Sequence, residues 1–238
     1  MLLLSIDTST ASCSVAVHGG DGPDAGTLLG CYELFTERTS AAMLTTLIGD
    51  VVRHTGHELA QLDAIAVSKG PGSYTGLRIG VSTAKGLCFA LDKPLLAINT
   101  LQAMTEQVRP YATLFADQPI LFCPMIDARR MEVYCTFYDT TGREVRPTAA
   151  EIITPDSFAD LLASSRVLFF GDGAAKCQPA LGHHANAVFL DQLIIPSART
   201  VGQLATQAFA SGQFEDPATF EPFYLKEFMT TQPRRATA

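Results

Sequence analysis

The chain opens on a nearly continuous apolar run, Leu2 to Ile6, that closes on Asp7. Such a run reads as a central strand covered on both faces. Asp7-Thr8-Ser9-Thr10 is a polar turn, and Cys13 to Val17 alternates small and apolar residues as the partner strand of a hairpin does. His18 to Gly26, rich in Gly and Asp, reads as a loop, and Leu28 to Phe35 as a third strand. Thr39 or Ser40 can cap a helix, after which Met43, Leu44, Leu47, Ile48, Val51 and Val52 recur at three- and four-residue spacing until Gly56 ends the stripe. Ala64 to Ser68 is a short buried strand, Thr75 to Leu91 a second helix stopped by Pro94, and Leu95 to Ile98 another strand. Strands alternating with helices predict an α/β sheet.

From Thr100 the pattern begins again. A helix runs to about Val108, a strand covers Ile120 to Ile126, another covers Val167 to Phe170 before Gly171-Asp172-Gly173, and Ser197 to Phe209 has helical spacing. Ile126-Asp127, a turn, and Val133 to Phe137 repeat the strand–Asp–turn–strand order of Ile6-Asp7 and Cys13 to Val17, 120 residues later. That offset has two readings, a chance echo of the common strand ending in Asp or two copies of one topology; the second divides the chain into residues 1–100 and 101–238, with helix 197–210 packing back on the first copy. The segment Phe220 to Lys226 reads as extended chain laid on the surface, and the tail from Thr230 as mobile.

Composition narrows the class. Hydrophobic residues make up 47% and charged residues 17%, enough apolar surface for a substantial core. No apolar run reaches the ~18 residues of a membrane helix, and the N-terminus lacks the basic flank of a signal peptide, which predicts a cytoplasmic protein. Cys13, Cys31, Cys88, Cys123, Cys135 and Cys177 show no CxxC pairing, as befits free thiols. The net charge of −7, with Arg234-Arg235 as the one basic cluster, argues against an autonomous RNA binder.

The sharpest local signal is Lys69-Gly70-Pro71-Gly72-Ser73-Tyr74-Thr75-Gly76-Leu77-Arg78-Ile79-Gly80, between a strand and a helix. Glycines there free backbone N–H groups, and a helix N-terminus favours anions. The run fits neither the Walker A loop nor the dinucleotide fingerprint, so phosphate binding and a tight structural turn both stay open on these residues alone. With Gly171 and Gly173, and the strand-end group Asp7, Thr8 and Ser9, the loop residues Gly70, Gly72 and Ser73 are the candidate nucleotide or phosphate contacts. Gly76, Gly80 and Ala84 recur every four residues, with Gly86 and Ala90 nearby. Glycine inside a helix costs about 1 kcal/mol relative to alanine, so this bare face needs a close contact, supplied either by the chain's own first helix or by a partner's helix.

Asp7 and Asp127 at strand ends suit Mg²⁺ or water positioning, or simple capping of their own turns. His54 and His57 are three apart and His183 and His184 adjacent, without further ligands that would complete a metal site. The zinc HExxH pattern and the Gly-x-Ser-x-Gly nucleophile elbow are both missing.

Ile6-Asp7-Thr8-Ser9 with Cys13-Ser14-Val15-Ala16, the run Gly70 to Gly80, Ile126-Asp127-Ala128-Arg129 with Glu132-Val133-Tyr134, and Glu221-Pro222 with Tyr224-Leu225-Lys226 span the chain in order. Together they resemble the TsaB (YeaZ) family. The resemblance implies an actin/hexokinase-like fold of two similar subdomains, each a mixed sheet flanked by helices. It implies a non-catalytic subunit of the machinery that transfers a threonylcarbamoyl group to the adenosine beside the tRNA anticodon. Such a subunit heterodimerises with the paralogous TsaD, works with the ATPase TsaE, meets tRNA through the complex, and forms a homodimer when alone. TsaD carries a metal-binding His-x-x-x-His in its first helix, whereas Glu37-Arg38-Thr39-Ser40-Ala41-Ala42-Met43 has no histidine here. The resemblance puts the partner interface on the first two helices, hence on Met43, Leu44, Leu47, Ile48, Val51, Gly76, Leu77, Gly80, Thr83 and Ala84; ATP or ADP at or near that interface and no nucleotide at all both stay open, and no metal is expected. An independent kinase-like ATPase using Asp7, Asp127 and the Gly171–Gly173 loop is the competing expectation. A glycoprotease is a third, without a residue behind it.

Overall fold

The computed structural model describes residues 1–35, 40–115 and 119–226. Thr39, the Glu37-Arg38 pair, and the tail from Thr230 with Arg234-Arg235 lie outside those residues. The described chain forms two five-stranded sheets. The first contains β1 (Leu2–Asp7), β2 (Cys13–Gly19), β3 (Thr27–Leu34), β4 (Ala64–Gly70) and β5 (Leu95–Asn99), with α1 (Ser40–His54) between β3 and β4 and α2 (Tyr74–Leu91) between β4 and β5. The second contains β6 (Ile120–Asp127), β7 (Glu132–Tyr138), β8 (Glu144–Ile152), β9 (Arg166–Phe170) and β10 (Ala187–Phe189), with the short α4 (Ala159–Leu162) and α5 (Ala174–Leu181) in the corresponding places. The strand orders are β3-β2-β1-β4-β5 and β8-β7-β6-β9-β10. In both, the first two pairings are antiparallel and the rest parallel. This is one topology used twice, the actin/hexokinase-like arrangement.

The remaining helices cross over. α3 (Thr100–Val108) follows the first sheet but buries Leu101, Met104 and Val108 with Phe122 and Ile126 of β6. α6 (Ala198–Ala210) follows the second sheet but buries Val201, Leu204 and Ala205 against Leu3, Ala64 and Ala66 of the first. Each half thereby supplies a cover for the other. Strand alternation explains the layering: Leu2, Leu4 and Ile6 join the core under α1 and α2, while Ser5, Ser14 and His18 sit buried on the α6 side. Ser14 Oγ accepts the Ala198 N–H at 2.8 Å, one of the free donors at the start of α6.

Several boundaries differ from the sequence expectation: β3 covers Thr27–Leu34 and not Leu28–Phe35, and β4 continues past Ser68 to Gly70. His18 and Gly19 continue β2 because His18 is an inward residue under α6, so the loop begins two residues later than its Gly and Asp content suggests. α2 ends at Leu91 as the sequence predicts, but Asp92, in the left-handed region at φ 52°, closes it before Pro94 is reached. No disulfide joins the six cysteines, of which five are buried and Cys31 is half-buried. No helix among the described residues is long and apolar enough to cross a membrane.

Candidate functional site

β1 ends on Asp7, whose side chain is 0% exposed. Its Oδ1 accepts the Ser9 N–H at 3.1 Å and the Ser9 hydroxyl at 3.0 Å. Its Oδ2 accepts the Ser68 hydroxyl from the end of β4. Burial pushes the Asp7 carboxyl above the usual carboxylate range, against the hydrogen bonds from Ser68 and Ser9 that favour the charged form. The carboxylate is closed off by its own turn and the neighbouring strand.

The glycine run is spent on the same turn. The Ser73 N–H donates to Ser9 O at 2.6 Å, and a Cβ on Gly72 would lie 2.2 Å from that oxygen. A Cβ on Gly76 would lie 2.0 Å from Thr8 O, and one on Gly80 2.4 Å from Thr8 Oγ1. The Ser73 hydroxyl caps α2 by accepting the Gly76 N–H at 3.3 Å. The glycines thus seat α2 on the end of β1, and the Ser73 amide that a phosphate would need is taken. Thr8 belongs to this internal seat too, its hydroxyl donating to Gly76 O at 2.7 Å.

The second copy reproduces the seat. A Cβ on Gly171, at φ +102°, would lie 2.2 Å from Met125 O, and one on Gly173 2.9 Å from Ile126 C. Asp127 differs from Asp7 in lying at the surface. Partial burial alone would raise its pKa, but the Lys176 ammonium and the Arg129 N–H at 2.7 Å hold it below the usual range. The two strand-end acids therefore occupy equivalent places in different electrostatic states. The sheets do not bring them together as a matched pair of exposed carboxylates.

On α1, Leu44, Leu47, Ile48 and Val51 are core residues, packed with Val15, Val17 and Val81. Burying each contributes roughly 1.5–3 kcal/mol, so they hold α1 to its own sheet and are not available surface. Leu77 and Ala84 are buried likewise. Of the expected interface residues, Met43, at 38% exposure, and the half-buried Thr83 face outward. The bare glycines that do face outward are Gly49 on α1 and Gly86 on α2, at which a Cβ would meet nothing within 4 Å. Phe89, one turn beyond Gly86, is 91% exposed. Tyr74, Thr75, Arg78, Ile79, Ser82 and Thr83 line an open concavity of about 520 Å³ on the same face. The register gave a usable signal for this face: Gly86 and Phe89 fall off the stripe that Leu77, Val81, Ala84 and Cys88 bury. Among the described residues no cluster of His, Cys, Asp and Glu is placed to hold a metal ion.

Residues 34–211 of the 238 match the family model "TsaD: tRNA N6-adenosine threonylcarbamoyltransferase". Over 231 residues the chain is 29% identical to the tRNA threonylcarbamoyladenosine biosynthesis protein TsaB of Escherichia coli (strain K12), covering 95% of each. The chain belongs to the TsaB (YeaZ) family, within the wider TsaD group. The TsaB protein of Haemophilus influenzae is 27% identical over 242 residues, 97% of this chain. Among solved structures, YeaZ from Pseudomonas aeruginosa superposes with a TM-score of 0.75 at 28% identity, covering 94% of this chain and 99% of its own. Likeness to the transferases themselves is shorter: the tRNA N6-adenosine threonylcarbamoyltransferase of Afipia carboxidovorans is 31% identical over 118 residues, 43% of this chain. TsaB membership assigns the chain to tRNA threonylcarbamoyladenosine biosynthesis.

Proposed function

We propose that this chain is a non-catalytic subunit that pairs with a TsaD-type transferase and supports transfer of the threonylcarbamoyl group to the adenosine beside the tRNA anticodon. The observation that carries the reading is the sealed Asp7 carboxylate. Its oxygens are held by Ser9 and Ser68, and the glycine loop beside it is packed on Thr8 and Ser9. An acid in that state does not orient a metal-bound phosphate or an attacking water, which need outward-facing lone pairs. That arrangement weighs against the competing ATPase reading, which needs Asp7.

The outward face of α1 and α2 supports a docking role. Gly49 and Gly86 leave room for the backbone of an approaching helix, and the exposed Met43 and Phe89 offer apolar contact around it. A chain with net charge −7 suits contact with tRNA through its partner. On this reading the protein works in the cytoplasm with TsaE, self-associates through the same face when the partner is absent, and meets ATP or ADP, where it meets them at all, at or near that face. Reconstitution tests it. The chain added to TsaD, TsaE, ATP, threonine-derived donor and tRNA should switch on modification while the chain alone hydrolyses no Mg-ATP. Asp7-dependent hydrolysis by the pure chain would sink the reading.

A further inference from the structure

After α6 the chain does not leave the molecule. Glu215 N donates to Leu95 O at 2.9 Å on the β5 edge, and Phe220 packs on the first core while its carbonyl accepts Lys85 Nζ of α2 at 3.0 Å. The Phe223 N–H then donates to Lys69 O at 2.7 Å, at the end of β4. Gly70 makes room for this: its φ is +113°, and a Cβ there would lie 2.8 Å from Phe223 O. Tyr224 sets its ring 4.9 Å from that of Tyr74. Two residues on, Lys226 pairs with Glu132 of β7 and lies 5.8 Å over the Tyr134 ring, so the segment has crossed from the first sheet's half to the second's.

We infer that Phe220–Lys226 is a latch that fixes the two halves relative to one another and is coupled through Tyr74 to a TsaD-type partner docked on the outer face of α2. The coupling is in the contacts. Tyr74 is shared: one side of it meets Tyr224, while its hydroxyl accepts Arg78 Nη1 at 3.1 Å and the Arg78 guanidinium lies 5.4 Å over its ring. Tyr74, Arg78 and Ile79 also line the concavity of that face. A partner that moves Arg78 or Tyr74 changes the surface on which Tyr224 rests. Because binding linkage is reciprocal, the factor by which docking protects the latch equals the factor by which the closed latch strengthens docking. The latch itself stands without the partner reading; the coupling rests on it.

Hydrogen exchange on the isolated, full-length chain tests the latch. Tyr224→Ala with Lys226→Glu removes an aromatic contact and puts like charges together, and should speed exchange of the Phe223 amide and of Glu132–Tyr134 on the order of tenfold. Lys226→Glu alone should speed that exchange by a smaller factor, and exchanging the charges, Lys226→Glu with Glu132→Lys, should recover most of what that single change loses, which a merely unfolded variant would not do. Unchanged exchange in both places, or no recovery, overturns the latch. The coupling is read by repeating the measurement with a TsaD-type partner bound: slower Phe223 exchange supports it, and unchanged exchange in a formed complex overturns it. Failure to form the complex strikes the docking reading and leaves the latch result standing.

Discussion

Gly80 sits against Thr8 so closely that a single added methyl would lie 2.4 Å from the threonine hydroxyl oxygen. That contact fixes α2 on the end of β1 and decides what the glycine run is for. Gly80→Ala gains about 1 kcal/mol of helix propensity but forces a close clash at a packed site, typically costing 1–3 kcal/mol. Urea denaturation should show a net loss of stability. Thr8→Ser in the same background, which trims a methyl but keeps the hydroxyl, should recover little of it, because the clash is with the oxygen.

Gly86 is the contrasting position. A side chain there meets nothing in the monomer, so Gly86→Arg should leave the melting temperature unchanged or slightly raised. It should nevertheless weaken association with a TsaD-type partner by tenfold or more, measured by calorimetric titration. Phe89→Ser, at a side chain 91% exposed, should act in the same direction with a smaller effect.

Asp7 binds its proton more tightly folded than unfolded, since burial raises its pKa above the ordinary 3.8. Its stabilising effect is therefore complete below 3.8 and is lost as pH rises through the raised folded value. Asp7→Asn removes that slope. The variant should match or exceed wild-type stability at pH 7 and keep its ability to support tRNA modification within about threefold, as expected of a residue outside the chemistry.

His18 behaves oppositely. Burial under α6 lowers its pKa from 6.5 to about 4, against a hydrogen bond with the Arg199 backbone that favours the charged form. The unfolded chain takes up the proton first, so stability present above pH 6.5 is lost as pH falls towards 4, by at most about 1.4 kcal/mol per pH unit. Denaturation midpoints measured between pH 7 and 4 should fall steeply in the wild type and more gently in His18→Asn.

Much of this fold was legible because its signals are local. The apolar run before Asp7, its echo before Asp127, and the stripe from Leu44 to Val52 each name an element whose partners follow from strand alternation. β8 was not legible: it is an edge strand carrying Glu144, Arg146, Pro147 and Glu151, with no buried face to impose alternation. α5 was missed because it is eight residues long with Pro179 inside. The site was harder still. Sequence spacing put Gly76 and Gly80 on one bare face, but only the three-dimensional position of Thr8 shows that this face is filled from within. Gly86 falls off the buried stripe of α2, a signal the register does hold, but only the packing shows that it and Gly49 stay open. The crossing of α3 and α6, and the path of Phe220–Lys226, are long-range facts that no window of sequence contains.

The most direct test of the account is threonylcarbamoyl transfer to tRNA in a reconstituted mixture of TsaD, TsaE and this chain, run beside an Mg-ATP hydrolysis assay on the chain alone. The account predicts modification that requires the chain, survives Asp7→Asn and is lost with Gly86→Arg, and no hydrolysis by the pure chain. Hydrolysis by the pure chain that Asp7→Asn abolishes, or modification indifferent to Gly86→Arg, would contradict it.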